Sequence, residues 1–270
     1  SPTVWAWRPG RVKTIARSTE RVMCLFPFEA DFYQNQNVEA DYTGHPMADE
    51  IPFKVEPGPA RLALDIIGDE PCVALLPGSR LSEVEKLSAP MLEAAVALTA
   101  KYPGIRFLMP AASPLTRDYF EAKLGGYPSV DCRVFDGRSK EIMAASDVVV
   151  CASGTATLEV MLFNRPMVVC YRLAATTYKM VKWFKLVKSR FFSLPNILSS
   201  EELVPELLQE QVTGQRIMQE VSQWLDQPER RQALQQRFED LHHVLKKDAA
   251  ASAAKVVLQH VSSRQRSPAP

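Results

Sequence analysis

From Arg61 to about residue 171 the chain alternates short strand-like runs with helix-like stretches joined by brief loops, a pattern whose natural outcome is a parallel, doubly wound sheet. Strands are expected at 72–76, 105–109, 130–135, 147–151 and 167–171. Helices are expected over Ser82–Tyr102, with Pro90 as an irregularity, and over Pro114–Leu124, Lys140–Ala145 and Thr155–Phe163. The runs Val73–Leu76 and Val148–Cys151 lack polar alternation, which suits strands covered on both faces. Beyond residue 172 the pattern turns helical, with stretches at 175–188, 201–209, 214–225, 228–247 and 249–262. The last nine residues, polar and proline-rich, read as a loose tail.

Upstream, Arg11–Arg17 is helix-like, Arg21–Phe26 strand-like and Phe28–Asn35 helix-like, and an extended segment runs to Gly44. That is roughly half of an α/β domain. Trp5 and Trp7 within a non-methionine opening read as the inside of a folded domain, and the chain as a piece of a longer one. Four prolines between 45 and 59 mark a linker. The expected organisation is therefore the end of a first domain over 1–44, a linker over 45–59, a second domain over 60–247, and a final helix with a loose tail over 248–270.

A formal charge of +1 with no long run of one sign argues against a nucleic-acid binder. Five scattered cysteines, mostly in apolar runs, read as reduced core residues rather than a disulfide set, and none has zinc-ligand spacing with a histidine. No stretch is long and apolar enough to cross a bilayer and no signal peptide opens the chain, so a cytosolic protein, or one resting on a membrane from that side, is expected.

Chemistry concentrates in two loops that each follow a buried strand. In the first, Pro77-Gly78 ends a strand and Gly78, Ser79 and Arg80 offer backbone N–H groups, a hydroxyl and a permanent cation. Ser82 and Glu85 have capping-box spacing, which places a helix start just beyond. In the second, Ser153, Gly154, Thr155 and Ala156 lead straight into a helix, and their small side chains let a ligand approach the backbone. Loops at the carboxyl ends of parallel strands line the ligand crevice, so two of them suggest a diphosphate. A capped turn without ligand would use the same residues. Glu159, one turn on, suits either a ribose diol or the helix dipole.

Seven segments then occur in one order: Trp5-Ala-Trp-Arg8, Leu25-Phe-Pro-Phe-Glu29, Gly44-His-Pro-Met-Ala-Asp49, Leu76-Pro-Gly-Ser-Arg80, Ser153-Gly-Thr-Ala-Thr-Leu-Glu159, Met167-Val-Val-Cys-Tyr-Arg172 and Ser193-Leu-Pro-Asn196. Together, over about residues 1–260, they resemble the lipid-A-disaccharide synthases, inverting glycosyltransferases of the GT-B architecture. The resemblance implies two Rossmann-like domains, the first incomplete here, with a helical C-terminus. It implies transfer of 2,3-diacylglucosamine from UDP to 2,3-diacylglucosamine 1-phosphate, giving a β-1,6 disaccharide and UDP. Arg80 and Asn196 would then be catalytic, and Gly78, Ser79, Arg80, Ser153, Gly154, Thr155, Ala156 and Glu159 would hold the donor. No metal or other cofactor would be needed, since positive groups meet the charge growing on the diphosphate. The resemblance further implies a homodimer, and a preceding half-domain that carries a glycine-rich loop and the general base.

Other residues are two-sided. His45 is either a cleft residue or a hydrogen-bonded linker histidine, Asp49 a turn or cap residue, and Tyr171 and Arg172 either phosphate contacts or structural groups. The segment 177–190 sets Tyr178, Trp183 and Phe184 beside Lys179, Lys182, Lys185 and Lys188, as a membrane-surface helix does and as a helix packed on its own domain also does. Two rival readings are a UDP-sugar-binding module without turnover and a UDP-sugar 2-epimerase of the same fold.

Overall fold

The structure, a computed structural model, describes residues 1–2, 4, 9–173 and 190–266. Its described residues form two compact units, one within 1–52 and 240–266 and the other within 53–173 and 190–239.

The first unit opens with helix α1 (Val12–Ser18), strand β1 (Val22–Cys24), helix α2 (Pro27–Gln34) and strand β2 (Ala40–Tyr42). The two strands pair in parallel through α2, a single βαβ crossover. Val4, Val12, Val22, Cys24, Ala30, Tyr33 and Val38 form its core. Pro27 at the first turn and the Glu29 carboxylate, which accepts from the N–H groups of Leu25 (3.0 Å) and Phe26 (3.2 Å), fix where α2 begins. A short helix α3 (Pro46–Glu50) follows inside the expected linker.

The second unit starts with helix α4 (Pro57–Ala63), in the same proline-rich stretch. Then come β3 (Cys72–Leu76), α5 (Leu81–Lys101), β4 (Arg106–Ala111), α6 (Pro114–Leu124), β5 (Cys132–Asp136), α7 (Ser139–Ala145), β6 (Val148–Ala152), α8 (Ala156–Leu162) and β7 (Met167–Tyr171). After these, α9 (Leu194–Ser199) leads to β8 (Glu206–Leu208) and α10 (Gly214–Asp226). The sheet is parallel, in the order β5-β4-β3-β6-β7-β8. The chain winds outward from β3 through β5, returns beside β3, and winds the other way, so strand order reverses between β3 and β6. Those two strands and β7 are the most deeply covered, in keeping with their unbroken apolar runs.

Two expectations fail here. Residues 201–209 are not a helix: the Pro205 carbonyl accepts from Val169 and Glu206–Leu208 add an edge strand, where a leading proline costs no ladder bond. The first turn of α5 is fixed by Glu83 rather than by a Ser82–Glu85 box, as described below.

Pro90 lies inside α5 and is buried. A proline has no N–H for the carbonyl four residues back, which here belongs to Lys86. Arg172 fills that gap: its guanidinium donates to the carbonyls of Lys86 (3.2 Å), Gln209 (3.3 Å) and Val212 (2.6 Å). Arg172 is thus a structural group in this fold and not the phosphate contact it was considered for.

Helix α11 (Pro228–Leu245) carries the chain back to the first unit, where α12 (Ala249–Arg266) closes it. Residues 240–247, expected in the second domain, belong to the first unit. There the Gly44–Asp49 segment is knitted to the returning chain. His45 N–H donates to Leu245 O (3.0 Å), the Tyr42 hydroxyl to Val244 O (2.7 Å) and the His242 ring to Ala48 O (2.8 Å). Asp49 accepts from Asp248 N–H (3.0 Å) and Ala249 N–H (2.6 Å), capping α12 from a distance. Gly44, at φ +86°, is required because a Cβ there would lie 2.5 Å from that of Lys247. α12 also continues to Arg266, into the stretch expected as a loose tail. Trp5, Trp7, Arg8, the 177–189 part of the basic aromatic segment and residues 267–270 lie outside the described residues.

Candidate active site

The reversal of strand order brings the two predicted loops side by side. Leu76 pairs with Cys151, so β3 and β6 end level and release Pro77–Arg80 and Ser153–Thr155 on the same sheet edge. This is the switch-point crevice of a doubly wound sheet.

The second loop offers unclaimed donors. Ser153 N–H is taken by Cys170 O (3.0 Å) and its hydroxyl donates to Phe192 O (3.1 Å), while Thr157 N–H returns to Gly154 O (3.1 Å). No described residue accepts from the N–H groups of Gly154, Thr155 or Ala156. Glu159 sits just behind them, half-buried, with no hydrogen-bond or ion-pair partner among the described residues. Burial raises its carboxyl above the ordinary value, against the opposing charge of Lys140. A carboxylate in this partly covered position has its acceptor sites open to hydroxyl donors from a ligand.

The first loop differs from its expected form. Two of its amide donors are already used: the Glu83 carboxylate accepts from Ser79 N–H (3.1 Å) and Arg80 N–H (3.4 Å), and pairs with the Arg80 guanidinium at 3.2 Å. The Arg80 side chain itself is 80% exposed. Tyr171, at the end of the next strand, stacks on Phe192 with ring centres 5.9 Å apart. Its phenol is raised by burial and, secondarily, by the Glu83 charge.

Asn196 makes no hydrogen bond to either loop. It is fully buried, and its amide makes four internal bonds: to Val204 O (2.9 Å) and Glu206 Oε1 (2.9 Å) as donor, and from Leu203 N–H (2.8 Å) and Val204 N–H (3.0 Å) as acceptor. All its hydrogen-bonding capacity is spent on the turn that leads into β8. Glu206 is the hub of that turn, also accepting from Phe192 N–H (2.9 Å), Ser193 N–H (2.8 Å) and the Ser193 hydroxyl (2.6 Å). Leu194 N–H reaches the Thr157 hydroxyl (3.2 Å), so the hub ties the 192–196 segment to the second loop. Asn196 and Glu206 therefore shape the crevice wall.

His45 is a local cap: its Nδ1 accepts from Met47 N–H (3.2 Å), and its ring stacks on Phe26. Burial lowers its pKa, with the Asp49 charge working against this. Among the described residues no three His, Cys, Asp or Glu side chains are placed to hold a metal ion, and no helix is long and apolar enough to cross a membrane.

Sequence reasoning missed Glu83, Phe192 and Glu206. Glu83 was legible as an acid three residues after an extended Arg80; Glu206 was not, because its four partners come from residues 192–196.

A family model described as lipid-A-disaccharide synthetase matches residues 1–257. The chain belongs to the lipid-A-disaccharide synthase family. The curated enzyme of that name from Alcanivorax borkumensis is 46% identical over 257 residues, which cover 95% of this chain and 67% of the relative. The chain thus spans about two thirds of the length of the curated relatives it matches. Among solved structures, UDP-GlcNAc 2-epimerase from Neisseria meningitidis matches with a TM-score of 0.64 at 12% identity, covering 92% of this chain and 63% of that one. MurG of Acinetobacter baumannii matches at 0.57 and 13%, covering 92% and 62%. Likenesses this remote show the fold, which is GT-B, and the family's members are glycosyltransferases. The family assignment sets the epimerase reading aside.

Proposed function

We propose that this chain carries the donor-binding part of a lipid-A-disaccharide synthase, which moves 2,3-diacylglucosamine from UDP to 2,3-diacylglucosamine 1-phosphate and releases the β-1,6 disaccharide and UDP. The observation that carries the reading is Glu159, a half-buried carboxylate without a described partner, one turn behind the free N–H groups of Gly154–Ala156 and beside the Arg80 loop. Glu159 accepts the ribose hydroxyls. The amides of residues 154–156 and the Arg80 guanidinium meet the diphosphate, where charge grows as the glycosidic bond breaks, so they favour the transition state over the ground state. Ser153 and Gly78 shape the loops, and Ser79 offers its hydroxyl. Asn196 serves by holding the crevice wall. The reading needs no metal, since these groups supply the positive field, and it leaves the general base to the part of the relatives that this chain does not span. It also carries an acylated acceptor, a homodimer, and a position on the cytoplasmic face of the inner membrane aided by 177–190. A module that binds UDP-sugar without turnover has the same donor site and differs only in lacking transfer.

Calorimetric titration of UDP tests the donor site. Arg80→Ala should weaken binding about 30-fold with the melting temperature unchanged, and Glu159→Gln about tenfold, the scale of hydrogen bonds to charged groups. Because burial raises the Glu159 carboxyl, it takes up a proton sooner than an ordinary acid as pH falls. Wild-type affinity should therefore fall more steeply with falling pH than that of Glu159→Gln, whose remaining slope is protonation of the UDP phosphate itself. A folded wild-type chain that binds no UDP overturns the reading.

A further inference from the structure

We propose that Glu83 is a positioning residue that permanently occupies the Ser79 and Arg80 amides of the first loop and holds the Arg80 guanidinium for the donor diphosphate. The inference rests on the donor-site reading and adds a division of labour between the two loops.

The site for the carboxylate is built. Gly78 takes φ +121°, and a Cβ there would lie 2.3 Å from Glu83 Oε2 and 2.6 Å from Glu83 Cβ, so the glycine makes room for this side chain. Oε2 accepts from Ser79 N–H and Arg80 N–H, and Oε1 faces the guanidinium. Glu83 is 31% exposed and Arg80 80%, so the carboxylate is the anchored partner and the cation the solvent-facing one.

Two anions cannot share the same pair of amides. With Glu83 in place the first loop has no Ser79 or Arg80 N–H to give a phosphate and contributes a side-chain cation. Further amide donors come from Gly154, Thr155 and Ala156 in the second loop, whose N–H groups no described residue accepts. An arginine loses much rotamer freedom when it clamps a ligand, and a carboxylate that already restricts it meets part of that cost in the free protein.

The test is a double-mutant cycle on UDP affinity, read by NMR titration to millimolar UDP so that weak binding stays measurable, with melting temperature recorded for each variant. Glu83→Ala should weaken UDP binding about threefold to tenfold, the scale of one ordered side chain, and should do nothing further in an Arg80→Ala background. Glu83→Gln keeps an acceptor for the two amides and loses the ion pair. It should melt like the wild type yet bind UDP less well, which a purely helix-capping role would not produce. Unchanged or tighter binding in Glu83→Ala, or an equal loss with and without Arg80, overturns the assignment while leaving the donor site standing. Absence of UDP binding by the folded wild type removes the donor site itself.

Discussion

Replacing Asn196 with aspartate separates a structural amide from a ligand contact. The change is isosteric and keeps the acceptor for the N–H groups of Leu203 and Val204, but it sets a carboxylate 2.9 Å from Glu206 Oε1 where an N–H had been. At that distance two charges repel by about 6 kcal/mol at an effective dielectric of about 20. Holding a proton at pH 7 on an acid that ordinarily titrates near about 4 costs only about 4 kcal/mol, so the folded state keeps a proton on the new residue. The lost bond to Val204 O adds about 1 kcal/mol, for a total of about 5 kcal/mol at pH 7. The folded form binds the extra proton and the unfolded form does not, so stability must rise as pH falls, by about 1.4 kcal/mol per unit. At pH 5 the deficit should be about 2 kcal/mol. Asn196→Ala forfeits three neutral bonds at about 1 kcal/mol each and one to the Glu206 carboxylate at about 2 kcal/mol, a loss of about 5 kcal/mol or roughly 15 °C at either pH. Urea denaturation at pH 7 and pH 5 should therefore show Asp level with Ala at the higher pH and clearly above it at the lower. A wild-type-like aspartate variant, or two variants that move in parallel with pH, would refute the reasoning. Variants of full stability that fail only to bind UDP would make Asn196 a ligand contact.

Arg172→Ala should lower the urea midpoint by the equivalent of about 2–4 kcal/mol, since three carbonyls lose a cationic donor; UDP affinity of the folded fraction should stay within about twofold, the scale of a change that touches no ligand group. His45 and His242 both have pKa values lowered by burial. Folded and unfolded forms share their neutral state above about pH 6.5, and only the unfolded form protonates readily below it, so stability should fall from pH 7 to about pH 5.5. Replacing His45 with glutamine should make that fall shallower in thermal melts.

The sheet was legible because buried parallel strands write themselves as unbroken apolar runs: Val73–Leu76 and Val148–Cys151 fall inside observed strands, and Pro114 marks the observed start of its helix. Both crevice loops were legible for the same reason, being what interrupts those runs. β8 was not, because three residues at an edge carry no periodicity and Glu201–Leu208 has a helix-forming composition. The spent amides of the first loop were also hidden, since Glu83 and Glu85 both offered acids near the helix start and only the backbone chooses between them. For Asn196 and Arg172, identity in a motif suggested chemistry while burial and partners assign each to architecture.

The Lys86 carbonyl that Pro90 leaves unserved and the guanidinium that serves it lie 86 residues apart in the chain, and this makes the two positions energetically dependent. An alanine at 90 would restore the N–H that the Lys86 carbonyl lacks, so the guanidinium would then be needed only by the carbonyls of Gln209 and Val212. The cost of losing Arg172 is therefore set in part by a residue to which it makes no hydrogen bond, and the two substitutions together should cost less than their separate effects added.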